Sequence, residues 1–165
     1  MHNSQNEASK SVSSVKHSAK ALEAVEQQVV TPELEAVVEA SVYLSGVGFE
    51  AGGLAAAHAI NDGFAQVPQA HNASHGEKVA FGLLAQLILE KAPKEEWDTV
   101  LHYIQSVGLP SCLADLGIHD VKEEEIRKVA EAATVPTQFT KNIRADITAD
   151  EVYDAIMAAD AAGKH

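Results

Sequence analysis

The sequence predicts an all-α fold, a helical bundle of roughly seven helices, and three observations lead there. Apolar residues recur at three- and four-residue intervals along most of the chain. Several of these runs open with a helix-capping signature or close on glycine or proline. No segment alternates apolar and polar residues over four or more positions between turn signals, as a half-buried strand requires.

The first periodic run is "AKALEAVEQQVV", where Ala19, Leu22, Val25, Val29 and Val30 fall on one helix face opposite Glu and Gln. In "VTPELEAVVEASVYLSG", Thr31 serves as N-cap, Pro32 occupies the first helical position, where its missing N–H is harmless, and Glu33 and Glu35 face the positive end of the dipole. This helix is expected to stop near Gly46. "HGEKVAFGLLAQLILEKAP" is apolar round most of its circumference, which marks a central buried helix ended by Pro93. "PKEEWDTVLHYIQSVGLP" is amphipathic and closes on Gly108 and Pro110. "VKEEEIRKVAEAAT" carries an apolar seam of Val121, Ile126, Val129 and Ala133, and its Glu123–Glu125 run is a solvated helix start. "TADEVYDAIMAAD" opens on the capping box Thr148 and Glu151 and continues to about Ala162.

Residues 1–18 are rich in Ser, Asn and Lys and form a flexible polar tail or a frayed helix end, leaving 19–165 as one all-α domain. At 165 residues the chain can bury a core without disulfides. The lone Cys112 has no C-x-x-C or close histidine beside it. A balance of 24 acidic to 12 basic residues, formally −12, repels nucleic acid and anionic lipid. No apolar run reaches the ~18 residues of a membrane span, and the N-terminus lacks the apolar region of a signal peptide. A reduced, cytoplasmic setting follows, with no nucleic-acid or membrane partner, and Asn72 of "NAS" is then a plain loop residue.

Of the eight histidines, His2, His17 and His165 sit in polar ends, while His102 and His119 read as surface or half-buried residues. His58, His71 and His75 differ, because they fall within one apolar, glycine-rich region, and His71 and His75 are four apart. Imidazoles gathered where charge is low are the usual ligands of Zn²⁺ and related ions. A shared ion also gives partners to a histidine placed among alanines. Spacing alone leaves metal binding and an ordinary buried histidine equally open.

The stretches "LSGVGFEAGGLAAAHAI" and "HGEKVAFG" closely resemble the C-terminal helical domain of glycerol dehydrogenases, in the metal-dependent (iron-type) alcohol dehydrogenase superfamily. The similarity runs from about Lys16 through "APKEEWDTVLHYIQSVGLP" to "TADEVYDAIMAAD". It implies NAD-dependent oxidation of glycerol to dihydroxyacetone, with Zn²⁺ polarising the secondary alcohol so that hydride leaves to the nicotinamide. The family's ion is held by one aspartate and two histidines, and the two histidines correspond to His58 and His75. Phe49 matches a phenylalanine packed on the substrate, and His71 a position near the active site. Ring-like homo-oligomers are implied as well.

The sequence also departs from the family. Its first aspartate is Asp62, and no glycine precedes Gly46, so the Gly-x-x-Asp segment bearing the third ligand is missing. No strand precedes "GVGFEAGG", so its glycines do not make a dinucleotide fingerprint, and the NAD-binding α/β domain is absent. The expectation is a truncated glycerol dehydrogenase, inactive alone, with Zn²⁺ weak or absent and NAD bound only in the parent enzyme. Two alternatives stand beside it: a split-enzyme or regulatory subunit that docks with a nucleotide-binding partner, and a metal-free helical interaction module.

Overall fold

A computed structural model of the chain describes residues 16–164, with the side chains of 48–52 left out of the description. The part of the polar tail up to residue 15 therefore lies outside it. Among the described residues there are seven α-helices and no strand: α1 (16–26), α2 (Pro32–Gly52), α3 (Ala56–Phe64), α4 (His75–Leu89), α5 (Lys94–Ser106), α6 (Glu123–Thr134) and α7 (Ala149–Gly163). Two 3-10 turns, Pro68–Asn72 and Phe139–Asn142, sit between α3 and α4 and between α6 and α7. Internal contacts group the chain into two units that divide at Gly53/Leu54.

The first unit holds α1 and α2. Helix α1 is described from residue 16 and closes on Gln28, whose φ of 55° lets Val29 N–H reach Ala24 C=O at 3.0 Å. Its buried positions are Ala21 and Ala24, whereas Leu22, Val25, Val29 and Val30 are exposed. Periodicity identifies a helix but not which stripe of it is covered, and here the two alanines are. Thr31 caps α2 as expected, its Oγ1 accepting from Leu34 N–H at 3.3 Å. The helix does not stop near Gly46. A glycine ends a helix by adopting positive φ, and Gly46 keeps a negative one, so α2 continues to Gly52 and the chain turns at Gly53 with φ 69°.

In the second unit, α3, α4, α7 and α6 form a closed circuit of contacts, α3 on α4, α4 on α7, α7 on α6 and α6 on α3, with α5 leaning on α4. Ile60, Phe64, Phe81, Leu84, Val129, Val152 and Ile156 fill the middle. The Phe64 and Phe81 rings lie 6.0 Å apart, tilted by 57°. On α6 the seam of Ile126, Val129 and Ala133 is buried together with Ala130, but Val121 precedes the helix and is exposed. Helix α4 stops at Leu89, four residues before Pro93. Lys91 turns left-handed (φ 56°), and Ala92 N–H bonds back to Leu87 C=O at 2.9 Å. The same device closes α5, with Gly108 at φ 72° and Leu109 N–H on Ile104 C=O.

Between α5 and α6 a short loop is clasped to the end of α7. Buried Asp160 accepts from Leu113 N–H at 2.9 Å and pairs with Lys164 at 2.8 Å, and Ser111 Oγ donates to Gly163 C=O at 2.9 Å. Burial works to raise the Asp115 pKa, yet it is held low by hydrogen bonds from Ser111 and Cys112. Burial pushes the Cys112 thiol up, away from the thiolate form.

Glycines at 82 and 163 are required by contact. A Cβ on Gly82 would lie 2.7 Å from Ala57 O, and one on Gly163 would overlap the Ser111 carbonyl. Gly163→Ala is expected to destabilise by about 3 kcal/mol or more, and Gly82→Ala by about 1–3 kcal/mol, because the neighbour in each case is backbone. Urea unfolding measures both. Lys91→Gly relieves a left-handed lysine and raises stability by about 0.5–1 kcal/mol in the same assay.

The expected capping box opens α7: Glu151 N–H bonds Thr148 Oγ1 at 3.2 Å and Thr148 N–H bonds Glu151 Oε2 at 2.9 Å, with Arg144 also on Glu151. The Thr148 N–H and then Arg144 lower the Glu151 pKa from 4.5 to about 2. A depressed carboxylate contributes stability above its unfolded value, and that is lost as pH falls through the folded one. The Glu151 carboxyl resonance is therefore expected to titrate with a midpoint near 2, moving toward 4.5 in Arg144→Ala, which removes the guanidinium and leaves the Thr148 N–H in place.

Candidate functional site

Helix α3 begins without a side-chain cap of its own, since its N-cap is Ala55. The orphan N–H of Ala57 is instead taken by Gln86 Oε1 of α4 at 3.0 Å, across 29 positions of sequence. Beside this bond Gly82 lets the α4 backbone close on Ala57, with Ala56, Ala57 and Ala59 buried. Small side chains thus set the α3–α4 separation. On α4 the first turn is fixed by a second capping box: Ser74 N–H bonds Glu77 Oε2 at 2.6 Å, and Glu77 N–H bonds Ser74 Oγ at 3.3 Å. Ser-x-x-Glu is visible in "SHGE", and it is the local signal for the start of α4.

These two helix starts bring His58 and His75 together. His58 is the third residue of α3 and His75 the first of α4, and their ring centroids are 5.5 Å apart with planes tilted by 51°. An imidazole nitrogen binds Zn²⁺ at about 2.0–2.1 Å, which puts the ion about 3 Å from each ring centre, so two rings at this separation fit one shared ion. His58 is half-buried and His75 exposed. Burial first, and the His75 ring second, lower the His58 pKa, with Asp62 pulling the other way. The ring is thereby kept neutral and its lone pair available.

The other expected site residues are placed differently. His71 is exposed on the first 3-10 turn, its Nε2 bonded to Ala65 C=O at 3.2 Å. Phe49 falls in the part of α2 whose side chains are not described. Among the described residues no group of three or more His, Cys, Asp or Glu is arranged to hold an ion. The histidine pair accordingly has no third such side chain arranged with it among the described residues.

Around the pair the fold adds residues that sequence reasoning does not single out. Asp62, one helical turn beyond His58, accepts from Asn61 Nδ2 at 3.1 Å and from Gln138 Nε2 at 3.3 Å. Gln138 Oε1 is buried without a partner. Asn142 Nδ2 donates to Leu54 C=O at 2.7 Å, tying the second 3-10 turn to the lead-in of α3. Only Asp62 leaves a local signal, its spacing of four from His58. Gln138 and Asn142 reach the site from more than seventy residues away.

No family model matches the chain. Glycerol dehydrogenase of Escherichia coli O6:H1 is 52% identical over 145 residues, 88% of this chain and 40% of that protein. Glycerol dehydrogenase of Pseudomonas putida is 49% identical over 146 residues, with the same two shares. The crystal structure of a probable glycerol dehydrogenase from Sinorhizobium meliloti 1021 superposes with a TM-score of 0.89 at 42% identity, covering 94% of this chain and 44% of that one. The chain spans about two-fifths of the length of the curated relatives it matches. Over nearly all its own length it is homologous to a helical portion of the glycerol dehydrogenases, and it has that portion's fold.

Proposed function

We propose that the chain is the metal- and polyol-holding part of a glycerol dehydrogenase, with His58 and His75 as two ligands of one Zn²⁺. The observation that carries this is the pair of rings 5.5 Å apart, in a chain whose relatives are glycerol dehydrogenases. Zn²⁺ at that point supplies a Lewis acid that lowers the pKa of the secondary alcohol, whose hydride passes to NAD in the whole enzyme. The contribution of α3 and α4 is to hold two neutral imidazoles rigidly against one point. Phe49 and His71 are proposed as substrate neighbours, on the family resemblance alone.

Catalytic zinc usually has three protein ligands, and the described residues offer two. The 165-residue chain alone therefore holds zinc weakly and does not turn glycerol over. A second function, as a subunit that docks on a nucleotide-binding partner or on further copies of itself, is supported by Val38 and Val42, one turn apart on α2 and 52% and 69% exposed. No helix among the described residues is long and apolar enough to cross a membrane.

Zinc titration followed by NMR should shift the His58 and His75 ring resonances together, and both shifts should vanish in the His58→Ala/His75→Ala variant. Equal metal uptake by the two proteins would remove the site and leave a metal-free helical module. With glycerol, NAD and Zn²⁺ the purified chain is expected to make no NADH. Steady NADH formation would show that the two-ligand account is wrong.

A further inference from the structure

The site has an electrostatic difficulty that its two ligands do not solve. His58 lies in the first turn of α3, and His75 is the first residue of α4. Each helix start carries roughly +0.5 charge from its unpaired N–H groups, so a divalent cation placed between the rings meets two positive ends. Neutral imidazoles bring no charge to offset them. Glu77 is the acidic residue of the first turn of α4, but its carboxylate is taken up by the Ser74 N–H of the capping box.

Asp62 is placed to make up the deficit. It lies four residues beyond His58 on α3, a spacing that puts both side chains on one helix face about 5–6 Å apart at Cβ. Both donors bonded to its carboxylate, Asn61 Nδ2 and Gln138 Nε2, are uncharged amides. Among the described residues no lysine or arginine forms an ion pair with it. Its full negative charge is therefore uncompensated, and lone pairs on both oxygens remain open. The Gln138 bond anchors the carboxylate from outside α3. His58 already senses this charge, which works against the lowering of its pKa.

We propose that Asp62 is the outer-shell anion of the His58/His75 site: without ligating the ion, it supplies the negative field that lets two neutral imidazoles hold a divalent cation between two helix N-termini. The assignment rests on the metal site proposed above. It gives Asp62 a positioning and electrostatic role, on the pattern in which carboxylates behind the ligands tune a metal site. Because the carboxylate is exposed, its effect is screened by salt over a distance of about 10 Å at 0.1 M.

The test is Co²⁺ binding to the full chain, followed by visible absorption and calorimetry, for the unaltered protein, Asp62→Asn, Asp62→Glu and His58→Ala/His75→Ala. Asn keeps an oxygen for the Gln138 bond and removes only the charge, so folding is not at issue. The expected result is about a three- to ten-fold weaker affinity for Asp62→Asn at low salt. Asp62→Glu should recover most of the loss, and the difference should shrink at about 0.5 M salt. The shape of the cobalt spectrum should not change. Equal affinity of Asp62→Asn and the unaltered chain at low salt overturns the role of Asp62 and leaves the histidine site standing. A changed spectrum makes Asp62 a ligand and overturns its outer-shell place. No histidine-dependent binding by the unaltered chain overturns both the site and its anion.

Discussion

The close approach of α3 and α4 is the constraint on which the candidate site depends. Two backbones meet because Gly82 has no side chain and Ala57 has almost none. The contact is locked by a polar bond, since the N-terminus of α3 has no cap except Gln86 of its neighbour. Below it the Phe64 and Phe81 rings, one from each helix, continue the same interface in apolar form. A buried amide without a partner costs on the order of 1–3 kcal/mol, so Gln86 fixes the register of the two helices as well as their distance. His58 and His75 inherit that register.

Placing both histidines at helix starts has mixed consequences. It gives well-defined first turns, because that of α3 is held by Gln86 of its neighbour and that of α4 by its own capping box. It also puts both beside positive ends, which disfavours a bare cation. In the proposed site the anions nearby therefore count beside the ring nitrogens. That is why the charges around the pair matter as much as the pair.

The far end of the second unit is held by a different chemistry. Asp160, buried at the end of α7, supplies the acceptors that the loop after α5 lacks, and Ser111 reaches back to the last carbonyls of that helix. The loop approaches so closely that residue 163 must be glycine. Together with the packing of α6 on α3 and α7, this clasp completes the circuit of helices that supports the α3–α4 contact.

Much of the architecture was local and therefore readable. Thr31 and Pro32, Thr148 and Glu151, and Gly108 mark helix ends because caps and left-handed turns are decided within a few residues. The resemblance to glycerol dehydrogenases was readable too, in two short stretches around His58 and His75. Other features escaped because they are settled by what packs where. Gly46 looked like a stop and was not, since only the backbone angle separates an interior glycine from a closing one. On α1 Ala21 and Ala24 are buried while Ala19 and the larger apolar residues are exposed, which periodicity cannot distinguish. Lys91, not Pro93, ends α4, since any residue in the left-handed region can close a helix at modest cost. The sequence by itself determined an all-helical chain with histidines spaced as in a metal enzyme. The tertiary structure decided that Gln86 would cap α3, that two imidazoles would stand 5.5 Å apart, and that Gln138 would anchor Asp62 beside them. Each is a contact between residues 17 or more positions apart, and no local preference encodes such distances.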